Sequence, residues 1–215
     1  AEKIRRACFD KLWVPEKGVF AEYIDNIGNH LRHESPELAS IYTPIDCGLV
    51  DKFQSYQMLR FTETKLRNEY WNPFNGRLIW NSNWLPMLYS IHGLYPQEIF
   101  LLSIYYFQLG LNEKANELLK GILSSLYQGP CPGALAHMIL PTGEHYGSVD
   151  FADTVSIFLR TIVEGLFGIR PQLLDNIIVI QPTFPSFWKH ASFKTPDLTF
   201  DYRFSDLVEQ IKVTT

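Results

Sequence analysis

The chain has 215 residues, enough for one domain with a sizeable core, and its 46% hydrophobic and 20% charged content excludes a largely disordered protein. A formal net charge of -4 with no run of Lys and Arg argues against an electrostatic nucleic-acid site, and no apolar stretch is long enough to span a bilayer. Aromatic residues reach 14%, which suits either a large aromatic core or a groove for flat, ring-shaped ligands.

Taken in chain order, residues 2–13 read as a helix, with Ile4, Cys8, Phe9 and Leu12 on one face and Pro15 closing it. Gly18 marks a turn, and Val19 to Ile24 follow as part of a hairpin. Residues 25–50 read as a long loop with a short helical turn at 36–40, capped by Ser35 and led by Pro36. Asp51 reads as the N-cap of a helix to about Leu66. Residues 68–86 read as irregular, with helix from Trp84 to Leu94 and again from Pro96 to Gly110.

Residues 99–107 are apolar nearly all round, which predicts a helix buried on every side. The next helix, 113–127, is one-sided: Ala115, Leu118, Leu119, Ile122 and Leu126 form a stripe against charged neighbours. An inner helix followed by an outer one predicts a two-layer helical array. Residues 128–149 read as loop, and Asp150 as the opening of an apolar-striped helix ending near Gly165 or Gly168. Strands follow at 176–180, 191–193 and 198–204, and the tail from Ser205 is a strand or a short helix. The expected fold class is therefore mainly α, with a helical region over 1–172 and a β segment over 173–215.

Cys8, Cys47 and Cys131 are odd in number and without ligand or CxxC spacing, so a disulfide framework is not expected. No phosphate loop, dinucleotide fingerprint or metal-ligand spacing occurs, so neither a cofactor nor a metal is expected. The chain begins at Ala1 and not Met, so its N-terminus does not report a compartment.

Three stretches occur in a suggestive order. They are Leu12 to Tyr23 (LWVPEKGVFAEY), Asn83 to Pro86 (NWLP), and Gly147 to Thr154 leading through Glu164 to Pro171 into Ile178 to Ala191 (IVIQPTFPSFWKHA). That order resembles the six-hairpin glycosidases, and more closely some poorly characterised bacterial members. The resemblance implies an (α/α)6 toroid of paired inner and outer helices, of which about half is present. It also implies a missing N-terminal half or a second chain, a periplasmic or extracellular location, and an oligosaccharide or glycoside as substrate. The activity implied is glycoside hydrolysis, with inversion expected. The alternative is a non-catalytic module that binds glycan or supports a partner.

Glycoside hydrolysis uses two carboxyl groups across the scissile bond. Asp150 precedes the last helix, where the resemblance implies a water-activating carboxylate; its simpler role is an N-cap, and the two are compatible. Glu144 lies in the same loop beside His145 and Tyr146. Glu22, between Ala21 and Tyr23, faces either a cleft or, as charged strand residues mostly do, the solvent. Glu34 and Glu37 read as surface loop residues. Trp80, Asn83, Trp84 and Tyr146 supply the stacking faces and amides that sugars need, with Trp71 as a further candidate. Trp13 and Trp188 read as core.

Overall fold

A computed structural model of the chain describes residues 1–71, 76–86, 91–205 and 207–214, without the side chain of Trp71. The chain opens with α1 (Glu2–Lys11), β1 (Trp13–Val14), β2 (Val19–Phe20), β3 (Tyr23–Ile24) and β4 (Arg32–His33). Two helices follow, α2 (Ala39–Asp46) and α3 (Lys52–Thr64), then β5 (Asn68–Trp71) and β6 (Gly76–Ile79). The central pair is α4 (Pro96–Gln108) and α5 (Asn112–Ser125). Next come β7 (Met138–Ile139), β8 (His145–Tyr146) and α6 (Ala152–Arg160), which runs into a π-helical turn, Thr161–Leu166. The chain ends with β9 (Ile169–Gln172), β10 (Ile177–Ile180), β11 (His190–Lys194), β12 (Thr199–Ser205) and β13 (Val208–Thr214).

This is a mixed α/β architecture, with 37% helix, 23% strand and six small antiparallel sheets among the described residues. It is not a mainly α fold, and the expected (α/α)6 toroid, with the six-hairpin resemblance that implied it, is corrected accordingly. The physical reason lies in the connections. Beside the hairpin expected around Gly18, where β1 pairs with β2, segments that read as loop or irregular pair as well: β3 with β4, β5 with β6, and β7 with β8. Strands of two to four residues leave little alternation to detect, and backbone pairing reveals them.

The helix expected over 84–94 is absent at Trp84–Pro86 and Ile91–Leu94, and residues 87–90 lie outside the described residues. Asn81 and Gly93 are instead tied directly together, the Asn81 N–H donating to the Gly93 carbonyl and the Gly93 N–H to Asn81 Oδ1. Nor does Ser35 cap a helix. The Leu38 N–H bonds the Asn81 carbonyl, and α2 begins one residue later.

Helix α4 is the centre of the core. Ile99, Phe100, Leu102, Ile104, Tyr106 and Phe107 are all fully buried, as an all-round apolar helix requires. Pro96 starts it, and Gly110, at φ +74°, ends it in the left-handed region that glycine tolerates best. A short turn then folds α5 back onto it, with the Leu111 N–H bonding the Tyr106 carbonyl. The stripe of α5, Ala115, Leu118 and Ile122, is fully buried while Glu113 and Glu117 stay at the surface. Helix α3 carries the capping box anticipated at Asp51: Asp51 Oδ1 accepts from the Gln54 N–H, and the Gln54 side chain accepts from the Asp51 N–H.

Helix α5 also packs across β6 through a contact that only glycines permit. A Cβ on Gly121 would run into the Arg77 backbone carbonyl. Alanine in a helix interior normally gains about 1 kcal/mol over glycine, while overpacking costs about 1–3 kcal/mol. The obstacle here is strand backbone, which cannot rotate aside. Gly121→Ala is therefore expected to destabilise the fold by about 1–2 kcal/mol net in urea denaturation, and a stabilised variant would contradict this packing.

Candidate active site

Three connections meet at the N-terminal ends of α2, α4 and α6. The segment before α2 bonds the one after β6, through Leu38 N–H to the Asn81 carbonyl (2.8 Å) and Trp84 Nε1–H to the Ser35 carbonyl (2.7 Å). The segment before α4 bonds β7, through Ile139 N–H to the Leu94 carbonyl (3.0 Å). The start of α6 is pinned by Phe151 N–H to the Leu135 carbonyl and Thr154 Oγ1 to the Ala136 carbonyl. These bonds gather residues from distant stretches of sequence onto one face.

The unusual chemistry of that face is a group of carboxyls. Glu98 sits in the first turn of α4, and its Oε2 is closed off from solvent with no hydrogen-bond partner. A helix N-terminus favours a carboxylate anion. Burial outweighs that effect, and with the charge of Glu37 it pushes the Glu98 pKa up to about 8. Glu37 is itself raised, by burial and by the charge of Glu22. Glu22 is half-buried, and its Oε2 accepts the Glu37 backbone N–H at 3.1 Å. Burial raises the Tyr42 hydroxyl of α2, and Glu98 and Glu37 add to the shift. At neutral pH Glu98 therefore keeps its proton beside two further carboxyls.

The residues expected from sequence fall into separate places. Glu22 joins the carboxyl group, half-buried, on the wall of a separate hollow that Cys8, Leu12 and Thr43 also line. Glu37, read as a surface residue, belongs to the same group, because the Leu38 to Asn81 bond draws its segment against the β6–α4 connection. Glu144 is exposed in the β7–β8 turn, where its carbonyl accepts the Leu140 N–H. Asp150 is exposed and does not cap α6: the N-cap is Phe151, and no side chain caps that end. The charges that raise Glu37 and Glu98 come from Glu22 and Glu37, with no contribution from Glu144 or Asp150.

Trp84 lines a hollow of about 400 Å³ with Tyr23, Arg32 and His33, where the Tyr23 and His33 rings stack at 4.1 Å. This hollow shares Glu34 and Ser35 with a neighbouring one of about 670 Å³, on whose wall Asn83 donates to the Lys65 carbonyl. Trp80, only 6% exposed, meets Tyr146 instead at a third hollow. Trp71, the further candidate, has its side chain outside the described residues.

Glu98 is the residue that sequence reading passed over. The signal was present: a lone carboxylate in a helix otherwise apolar on every side. Among the described residues no three His, Cys, Asp or Glu side chains converge as a metal site, and no helix is long and apolar enough to cross a membrane. Comparison with protein-family models and with curated proteins finds no match for the chain.

The shifted carboxyl has a measurable consequence. Glu98 keeps its proton to about pH 8 in the folded state. An unfolded glutamate releases it near 4.3. The folded state thus binds more protons between those values, so stability is fullest below about pH 4.3 and falls as pH rises towards 8, by up to about 1.4 kcal/mol per pH unit. Glu37 acts in the same direction. Urea unfolding from pH 5 to 8 is expected to show this loss, with a distinctly flatter profile in Glu98→Gln. An identical slope in that variant would assign the loss elsewhere.

Proposed function

We propose that this face binds a carbohydrate and hydrolyses a glycosidic bond. The observation that carries the reading is Glu98, a buried carboxyl protonated at neutral pH with an unpaired oxygen, next to Glu37 and Glu22. Hydrolysis by two carboxyls needs one that holds a proton and one that takes a proton from water. In this reading Glu98 donates its proton to the leaving-group oxygen as the C–O bond breaks. Glu22 takes a proton from the attacking water, whose hydroxyl forms the new bond to the anomeric carbon. Glu37 supplies the backbone N–H that fixes Glu22.

The sugar-binding surface is the paired hollow of Trp84, Tyr23, His33 and Asn83. It follows Glu22 directly in the chain at Tyr23 and precedes Glu37 by two residues at Ser35. Its mixture of ring faces with Arg32 and Glu34 matches the apolar faces and hydroxyls of a pyranose. An oligosaccharide or glycoside is the proposed substrate. A second partner, further chain packed beside α6, also belongs to this proposal. Leu159 of α6 is 58% exposed, and Leu173 and Leu174 between β9 and β10 are 83% and 103% exposed. Such side chains are favourable to cover.

The test is an assay of wild type against a panel of α- and β-linked oligosaccharides. Glu98→Gln and Glu22→Gln are each expected to lower kcat by about 10²–10⁴ with binding retained. Glu144→Gln and Asp150→Asn, both exposed, are expected to have far smaller effects. Saturable oligosaccharide binding without turnover in wild type would favour the non-catalytic glycan module, and loss of turnover confined to Asp150→Asn or Glu144→Gln would move the chemistry to the α6 side.

A further inference from the structure

A third hollow, of about 410 Å³, lies between the Trp80 region and the β7–β8 hairpin. This size suits a small organic ligand. One wall is aliphatic, with Leu94, Ile139 and Leu140 among its residues. The other carries Trp80 and His92, whose rings meet edge to face at 4.5 Å, and Tyr146 stands 55% exposed at the border.

Two of the polar groups on this hollow are already engaged. Trp80 Nε1–H donates to Glu69 Oε1 at 3.0 Å, and the same oxygen pairs with Arg67 Nε at 2.6 Å. The Arg67 guanidinium lies over the Trp80 ring at 4.6 Å. Its charge is thus held by Glu69 and by the π-face. The His92 ring nitrogens are closed off from solvent without a well-formed hydrogen bond, and burial lowers the His92 pKa, offset in part by the Trp84 backbone. Gly93 allows the wall to close: a Cβ there would press on Met138 and the Tyr95 ring at 2.8 Å.

A pyranose in this hollow would set several hydroxyls against the aliphatic wall of Leu94, Ile139 and Leu140, and each hydroxyl left unpaired there would lose its bonds to water. A flat ring with one polar edge has the opposite balance. It would stack or pack on carbon and π surface and leave its polar edge to the Tyr146 hydroxyl or to solvent. We infer that the hollow between Trp80 and the β7–β8 hairpin is a binding site for a planar aryl group of the phenol class. This goes beyond the hydrolytic reading and stands without it.

Binding of 4-nitrophenol to the full chain by isothermal titration calorimetry tests the inference, with glucose as the polar comparison. Saturable 4-nitrophenol binding is expected, undiminished in Glu98→Gln. Leu140→Arg, at a partly exposed wall position, should fill the hollow and weaken binding at least tenfold with an unchanged melting temperature. Tyr146→Ala, at the exposed border, should weaken it severalfold and serves if Leu140→Arg does not fold. No saturable binding, equal affinity in the variants that fold, or glucose competing for the site would overturn the inference.

Discussion

Helix α4 is apolar nearly all round from Ile99 to Phe107, and the rest of the molecule is arranged by the need to enclose it. Burying a large apolar side chain contributes about 1.5–3 kcal/mol, and α4 buries one at nearly every position from Ile99 to Phe107. That return depends on cover from every direction. Helices α2, α5 and α6 and the π-helical turn pack on it, and α3 reaches it at Tyr106, whose hydroxyl lies 3.1 Å from both the Leu59 carbonyl and Glu63 Oε1. Glu63 is drawn towards protonation by burial, but Lys114 of α5, the Tyr106 hydroxyl and Arg60 outweigh it and hold the carboxylate ionised. On another side Arg160 of α6 makes a bidentate contact to Asp46 of α2, at 2.6 and 3.1 Å, and a third to Glu164. Burial of the Tyr105 hydroxyl, reinforced by Asp46, keeps it protonated. The polar tips of α4's tyrosines are thus met by charged groups that also tie its neighbours together.

The same enclosure explains why the carboxyl face exists where it does. At the N-terminal end of α4 its cover includes connections as well as helices: Thr154 of α6 bonds the Gln97 side chain, and Tyr42 of α2 lies close enough to feel the charge of Glu98. Those connections are held by backbone bonds through Leu38, Asn81, Gly93 and Ile139, a stiff arrangement built from short contacts. Glu98 enters this space on the first turn of a helix whose other side chains are carbon-rich. Contrast Glu63: both are carboxyls against α4, but Glu63 has two cations and a hydroxyl, and Glu98 Oε2 has none of these. The difference in partners sends one pKa below its ordinary value and the other to about 8.

The elements legible in sequence were those with a long period. Helix α4, the one-sided α5, the capped α3 and strands β10 to β12 stand close to where their patterns put them, because each buries a face long enough to repeat. The class of the fold was not legible. Hairpins of two-residue strands are fixed by pairing across loops, and such pairing leaves only turn residues such as Gly18 and Gly143 in the sequence. The start of α6 was misplaced for a related reason: the Phe151 N–H is taken by the Leu135 carbonyl, so the chain stays extended past Asp150. Among the carboxyls of that face, attention to carboxylates next to aromatics in loops singles out Glu22 and passes over Glu98. Glu98 directly precedes a run that is apolar nearly all round, and that placement was visible without coordinates.

Why the chain keeps a glutamate at position 98 is itself informative. An ionisable group without partners is costly to bury, and glutamine has nearly the same shape without the ionisation. Among the described residues Glu98 completes no ion pair and caps no helix, so no contact there requires an acid. The nearest charges, on Glu37 and through it Glu22, make ionisation harder. A structural role would be served by removing such a conflict, whereas proton transfer is served by it, since a donor must hold its proton at working pH and release it to a developing anion. The unfavourable environment of Glu98, more than any aromatic surface, is what supports the proposal of chemistry over binding alone at this face.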